Sequence, residues 1–125
     1  MTPKATYARE IVYLTAAAIP HSGGESYFFV GVDDFSKFFF TLGLEDSLDD
    51  NTFIRVVKKL LDHKEFKAAG NTPFTLVVPF DQSLEGQITK LLPSYGRLVF
   101  DQGLVTENAT PLVNQAMRKR GQKHP

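Results

Sequence analysis

Cysteine is absent from the sequence, which excludes thiol nucleophiles, thiolate zinc sites and a disulfide framework. An excess of charge of one sign is absent as well. Fourteen Lys and Arg balance fourteen Asp and Glu, so the chain lacks the strongly basic field with which a protein grips nucleic acid by electrostatics alone. No apolar run approaches the roughly 18 residues that a membrane-spanning helix needs, and a membrane is not expected as a partner. The opening MTPKATYARE has neither the apolar stretch nor the small-residue cleavage site of a signal peptide. An intracellular location is the expectation, nuclear if the host is eukaryotic. Histidines are few, and His21, His63 and His124 follow no metal-ligand spacing. Repeats and low-complexity segments are missing too. Ser, His and Asp occur without a nucleophile-elbow pattern, and His21-Ser22-Gly23-Gly24 reads as a hairpin turn, too poor in glycine for a phosphate loop.

What is present describes one globular domain over residues 1–125, 42% hydrophobic and 22% charged. At this length a chain buries roughly two-thirds of its unfolded surface and builds a core without staples. Charge is unevenly placed. Glu45, Asp46, Asp49 and Asp50 form an acidic cluster of the kind that sits on solvated faces and helix ends. Residues 118–125 form a basic tail with Arg118, Lys119, Arg120 and Lys123. Eleven phenylalanines are expected in the core rather than as base-stacking platforms.

Periodicity divides the chain into eight elements. Glu10 to Ile19, stopped by Pro20, Ser26 to Val32, and Ser36 to Leu42 read as three meandering strands, with Asp33-Asp34 as turn formers between the last two. Phe38, Phe39 and Phe40 cannot all face one side of a strand, so part of this aromatic run is available to a partner. From Asp50 or Asn51 the positions Phe53, Val56, Val57, Leu60 and Leu61 recur at helical steps, fading near Ala68-Ala69-Gly70. Pro73 to Phe80 reads as a strand, Ser83 as the cap of a helix through Leu91 or Leu92, Arg97 to Phe100 as a short strand, and Thr110 to Arg118 as a helix with proline in its first turn. Three strands followed by alternating helices and strands require an α/β fold, a mixed five-stranded sheet flanked by helices in the order βββαβαβα. Ribonuclease H-like folds have that arrangement.

Four stretches in sequence resemble the catalytic core of retroviral-type integrases and bacterial insertion-sequence transposases. SYFFVGVDDFSKFFF (26–40) is similar to the family's second-and-third-strand hairpin, in which an apolar strand runs into Asp-x-Phe-Ser-Arg/Lys. IVYLTAAAIP (11–20) resembles its first strand, FDQSLEG (80–86) the segment Thr-Asp-Asn-Gly-Ser-Glu-Phe after the fourth strand, and NATPLVNQAMRKR (108–120) the helix that carries Val-Glu-Arg. The resemblance implies a ribonuclease H-like fold and three carboxylates holding two divalent metals for phosphoryl transfer, because two hard cations at close range must be neutralised by oxygen ligands. Matched position by position, the first Asp is Thr15, the second is Asp81, and the last Glu is Asn114. Ser83 and Gly86 replace the glycine and phenylalanine of the middle motif, and Glu85 keeps its acidic position.

A hydroxyl and an amide supply no negative charge, so the triad is degenerate and no catalytic residue set is intact. The expectation is a catalytically inactive integrase-core-like domain of a mobile-element-derived protein. It would need no cofactor and would act as a DNA-associated or oligomerisation module, with a second copy or another protein chain as partner. Arg118, Lys119, Arg120 and Lys123, with Lys90 as a weaker candidate, are the residues expected to meet DNA if DNA is met. Two alternatives remain open: a divergent Mg- or Mn-dependent nuclease or strand-transferase using Asp81 and Glu85 as metal ligands, and a purely protein–protein interaction module.

Overall fold

A computed structural model describes residues 4–79 and 82–122, with side chains described as far as residue 118. Its five strands form one sheet in the order β3-β2-β1-β4-β5. β1 (Ile11–His21) pairs antiparallel with β2 (Gly24–Asp33), which pairs antiparallel with β3 (Phe39–Glu45). On its other side β1 runs parallel to β4 (Phe74–Val78), and β4 parallel to β5 (Gly96–Phe100). A three-strand meander joined through its first strand to a parallel pair makes the expected mixed five-stranded sheet, consistent with a ribonuclease H-like order.

Alternation along β1 divides the core in two. Val12 and Leu14 face a layer with Phe29, Phe40 and Leu76 that is covered by α1 (Asp50–Asp62), α2 (Lys64–Lys67) and α3 (Glu85–Thr89), through Val56, Val57, Leu60, Phe66 and Ile88. Ile11 and Tyr13 face the opposite layer with Val30, Val32 and Val77, closed by Ala5 and by α4 (Gln102–Asn108) and α5 (Thr110–Gln122), through Val105, Ala109 and Val113. Each fully buried aliphatic side chain in these layers contributes roughly 2 kcal/mol.

Two expected strand boundaries move, each for a local reason. β1 continues through Pro20 to His21. Its pairing with β4 ends at Tyr13, leaving β2 as the strand beside its far end, and an edge tolerates the missing N–H of proline. β3 starts at Phe39, not Ser36. Asp33 accepts from Phe35 N at 3.0 Å and from Ser36 Oγ at 2.8 Å, and Lys37 adopts φ 63°, so the turn takes up residues 34–37. Asp33 and Asp34 are thus turn formers as expected. Phe39 and Phe40 go to opposite layers, and Phe38 stays 43% exposed, edge-on to Phe40.

The expected long helix is two helices. Asp49, one residue before the expected cap, accepts from Thr52 N and starts α1. His63 then turns extended (φ −63°, ψ 132°) and caps α2 by accepting from Glu65 N at 3.1 Å. At 3.6 residues per turn, a continuous helix would point Phe66 roughly 120° away from Leu60. The break instead buries Phe66 between Phe40 and Phe74. Ser83 is not a helix cap: it lies inside a 3-10 turn over Gln82–Leu84, and Leu84 occupies the N-cap of α3 without a side-chain bond. α4 is an element the periodicity did not reveal. In the acidic cluster, Asp49 and Asp50 sit at a helix start and Asp46 is exposed, whereas Glu45 is buried and held by Arg55 (2.6 Å) and Lys59 (2.9 Å). Among the described residues no helix is long and apolar enough to cross a membrane.

Candidate functional site

The first and fourth strands run parallel, and one cleft opens just past the end of their pairing, at the middle of β1 and the end of β4. The register pairs Tyr13 with Val77, which brings Thr15 level with Pro79. Both line a cleft of about 360 Å³, together with Phe53 from α1, Gln102 from α4 and Thr110 from α5. α4 begins where Asp101 accepts from Leu104 N at 3.0 Å. It ends at Ala109, whose N–H bonds back to Val105 O. The chain then re-enters a helix at once, with Pro111 in the first turn of α5, where its missing N–H costs nothing. That kink brings Thr110 to the cleft.

Thr15 is 5% exposed, and its hydroxyl lies 3.4 Å from the hydroxyl of Thr110. Thr110 Oγ1 also donates toward Val105 O at 3.4 Å. Asn114, the position matched to the family's last carboxylate, lies one turn further along α5 and is exposed. Of the two, it is Thr110 that meets Thr15. Sequence reasoning passed over Thr110, although Pro111 marks it as the residue on which the last helix starts. Glu85 is exposed in the first turn of α3 and is not among the residues lining the cleft. Asp81 lies outside the described residues.

The described lining carries hydroxyls, one amide and apolar groups but no Asp, Glu or His. Among the described residues no group of three or more His, Asp or Glu is placed to hold a metal ion. Neutral hydroxyls do not offset the charge of two divalent cations, so the described cleft residues do not fit a two-metal centre. The arrangement can donate and accept hydrogen bonds beside an apolar wall, and its described residues supply no group that titrates near neutral pH.

Of the cationic candidates, Arg118 is exposed on α5 and Lys90 is exposed at the C-cap of α3. The side chains of Lys119 and Arg120, and all of Lys123, lie outside the described residues. The structure therefore gathers Thr15, Pro79 and Thr110 at one place and leaves Lys90, Asn114 and Arg118 on the surface.

No family model matches the sequence, and no curated protein matches it. Among solved structures, a chain of the simian T-cell lymphotropic virus intasome, determined in complex with PP2A regulatory subunit B56 gamma, superposes with a TM-score of 0.59 at 14% sequence identity. The match covers 100% of this chain and 46% of that one, so this chain spans less than half the length of its structural neighbour. At that identity the likeness is one of fold: the mixed sheet and flanking helices described above are shared with a chain of a viral intasome.

Proposed function

We propose that this chain is an integrase-core-like domain, derived from a mobile element, that has lost its catalytic triad and serves as an assembly module in a larger protein or protein–DNA complex. The observation that carries this reading is the Thr15–Thr110 hydroxyl pair, 3.4 Å apart, in the cleft where β1, β4 and the last helix meet. Two-metal phosphoryl transfer needs carboxylates at such a place. Asp81, the acidic position of the triad retained in the sequence, supplies at most one ligand charge, and Glu85 is the nearest acid to it in sequence.

Calorimetric titration of the domain with Mn²⁺ and Mg²⁺, with Asp81→Ala as the control, tests the loss of chemistry. No saturable heat is expected for either metal. Saturable binding abolished in Asp81→Ala would instead support a metal-dependent nuclease or strand-transferase, and nicking assays on branched and linear DNA would follow. The assembly role is tested by solution mass at low and high concentration, with and without duplex DNA. Self-association or DNA binding is expected, and Arg118→Ala with Arg120→Ala should flatten the salt dependence of any DNA affinity. A chain that stays monomeric and ignores DNA under all these conditions overturns the assembly reading in its self-association and DNA forms.

A further inference from the structure

A second cavity, of about 330 Å³, opens beyond the other end of β1, between the α2–β4 loop and the start of β5. Arg9, Phe66, Lys67, Asn71, Phe74 and Tyr95 are among its lining residues, two of the lining side chains are cationic, and none is acidic. Arg9 is 3% exposed. Its guanidinium lies 4.8 Å from the ring centres of both Phe66 and Phe74, and Nη2 donates to the carbonyls of Gly70 (3.4 Å) and Thr72. Its Nε–H is buried without an acceptor, and among the described residues no carboxylate stands within ion-pair distance of Arg9. The nearby Asp33 carboxylate is taken up by the Arg9 backbone N–H and by the β2–β3 turn. Desolvation accordingly pulls the guanidinium below its ordinary pKa, only partly opposed by Tyr95, Tyr7 and Asp33.

A purely structural clamp accounts for the two rings and the two carbonyls. It does not account for a buried cation with no carboxylate at ion-pair distance among the described residues, an unpaired Nε–H, and a second cation on the same open cavity. A buried charge is normally paired. Lys67 is free to turn inward, since its pair with Asp62, at 3.5 Å, joins side chains that are 64% and 76% exposed and is worth little. The rest of the wall is apolar or aromatic, from Leu91, Pro93 and Tyr95, and the volume suits a small ligand.

We propose that this cavity binds a phosphate monoester carried on a small apolar or aromatic body, with the phosphate oxygens against Arg9 and Lys67 and the body against Tyr95 and its neighbours. Two cations, one of them a planar guanidinium, suit a dianionic oxyanion better than a single carboxylate.

The test is an NMR titration of the labelled domain with phenyl phosphate, inorganic phosphate and benzoate. Phenyl phosphate is expected to shift the amides of Gly70, Asn71 and Tyr95 saturably in the millimolar range or below, about tenfold tighter than either simpler anion, and to raise the melting temperature as a native-state ligand must. Lys67→Ala, an exposed position that leaves the fold intact, should weaken it about tenfold. Arg9→Lys, which keeps the charge and loses the fork, should weaken it at least as much. Should Arg9→Lys fail to fold, Lys67→Glu takes its place, with binding abolished as the expected result. Equal binding of all three compounds, shifts confined to the Arg118 end of α5, or no saturable shift at these amides would each overturn the proposal.

Discussion

At the start of β1 a guanidinium is buried at 3% exposure between two aromatic rings, with no carboxylate at ion-pair distance among the described residues; further along the same strand Thr15, the position matched to a carboxylate of the resembling family, meets the neutral hydroxyl of Thr110. A hydroxyl pair is easy to bury, because each oxygen finds a partner and neither holds net charge. A guanidinium without a counter-ion costs several kcal/mol in desolvation, and here it also sits on a residue in the left-handed region, Arg9 at φ 65°, a conformation that costs a further ~1 kcal/mol or more. One end of the strand is relaxed, the other is loaded. Loaded places are kept by what they hold, in this case the α2–β4 loop and the proposed anion.

The largest expected effect comes from removing the loaded end. Arg9→Ala loses two cation–π contacts and two charge-assisted bonds to carbonyls, about 3 kcal/mol together in urea unfolding. Thr15→Ala loses one long hydroxyl contact and should cost below about 1 kcal/mol. Equal losses at the two positions would break the comparison.

The relaxed end can be loaded deliberately. Thr15→Asp with Thr110→Glu places two carboxylates side by side at a position that is 5% exposed in the parent, and without metal the double variant should lose about 2–3 kcal/mol through burial and like-charge repulsion. Mn²⁺ at millimolar concentration should return most of that stability as a native-state ligand, while leaving the parent unchanged. Stability that ignores Mn²⁺ in the double variant would mean that the cleft no longer has the shape of a cation site, whatever its charge.

Much of this arrangement is legible in the sequence, and the rest is hidden for physical reasons. The apolar runs and helical steps read out all five strands and the face of α1, because alternation and the 3.6-residue period follow from burial itself. The break at His63 is legible only through Phe66, which is off the helical stripe yet too apolar for solvent. α4 carries Gly103 in its first turn and spans seven residues, too few for a period to emerge. At the cleft, Thr15 is reached through resemblance in motif spacing. Thr110 was missed because the kink at Ala109, and not the helical pattern, decides which residue faces β1. Arg9 was illegible altogether: its burial depends on Phe66 and Phe74, which tertiary structure alone brings together. Gly96 helps seat that pair, since a Cβ there would fall 2.6 Å from Phe74 Cζ.

A compensated charge calibrates the uncompensated one. Glu45 is buried, yet Arg55 first and Lys59 second hydrogen-bond its carboxylate and hold it below the ordinary carboxylate pKa. The folded state therefore releases this proton more readily than the unfolded state. The contribution is present above pH 4.5, the ordinary value, and fades as pH falls toward the lower folded one. Glu45→Gln should cost about 1–2 kcal/mol at neutral pH and flatten the acid limb of a stability-versus-pH curve. Arg9, ionised throughout that range, should add no slope to it. A steep acid limb that persists in Glu45→Gln would move the acid sensitivity to Asp49 and Glu10, whose carboxylates are also held low, by hydrogen bonds from Thr52 and Thr6.

Between the two ends lies Tyr13, on the same face of β1 as Thr15. It is fully buried, its hydroxyl has no partner among the described residues, and burial pushes its pKa up to about 12. It stays neutral across any working pH, so its cost is that of a single unsatisfied hydroxyl. Tyr13→Phe removes that oxygen without moving the ring, and stability should rise by about 1 kcal/mol, a small effect opposite in sign to the others. The sign carries the information. A gain shows the strand interior to be dry between its two cavities, whereas a loss of about 1 kcal/mol would reveal an ordered water on the hydroxyl, a second polar site in the layer beneath α4 and α5 beside the Thr15–Thr110 pair.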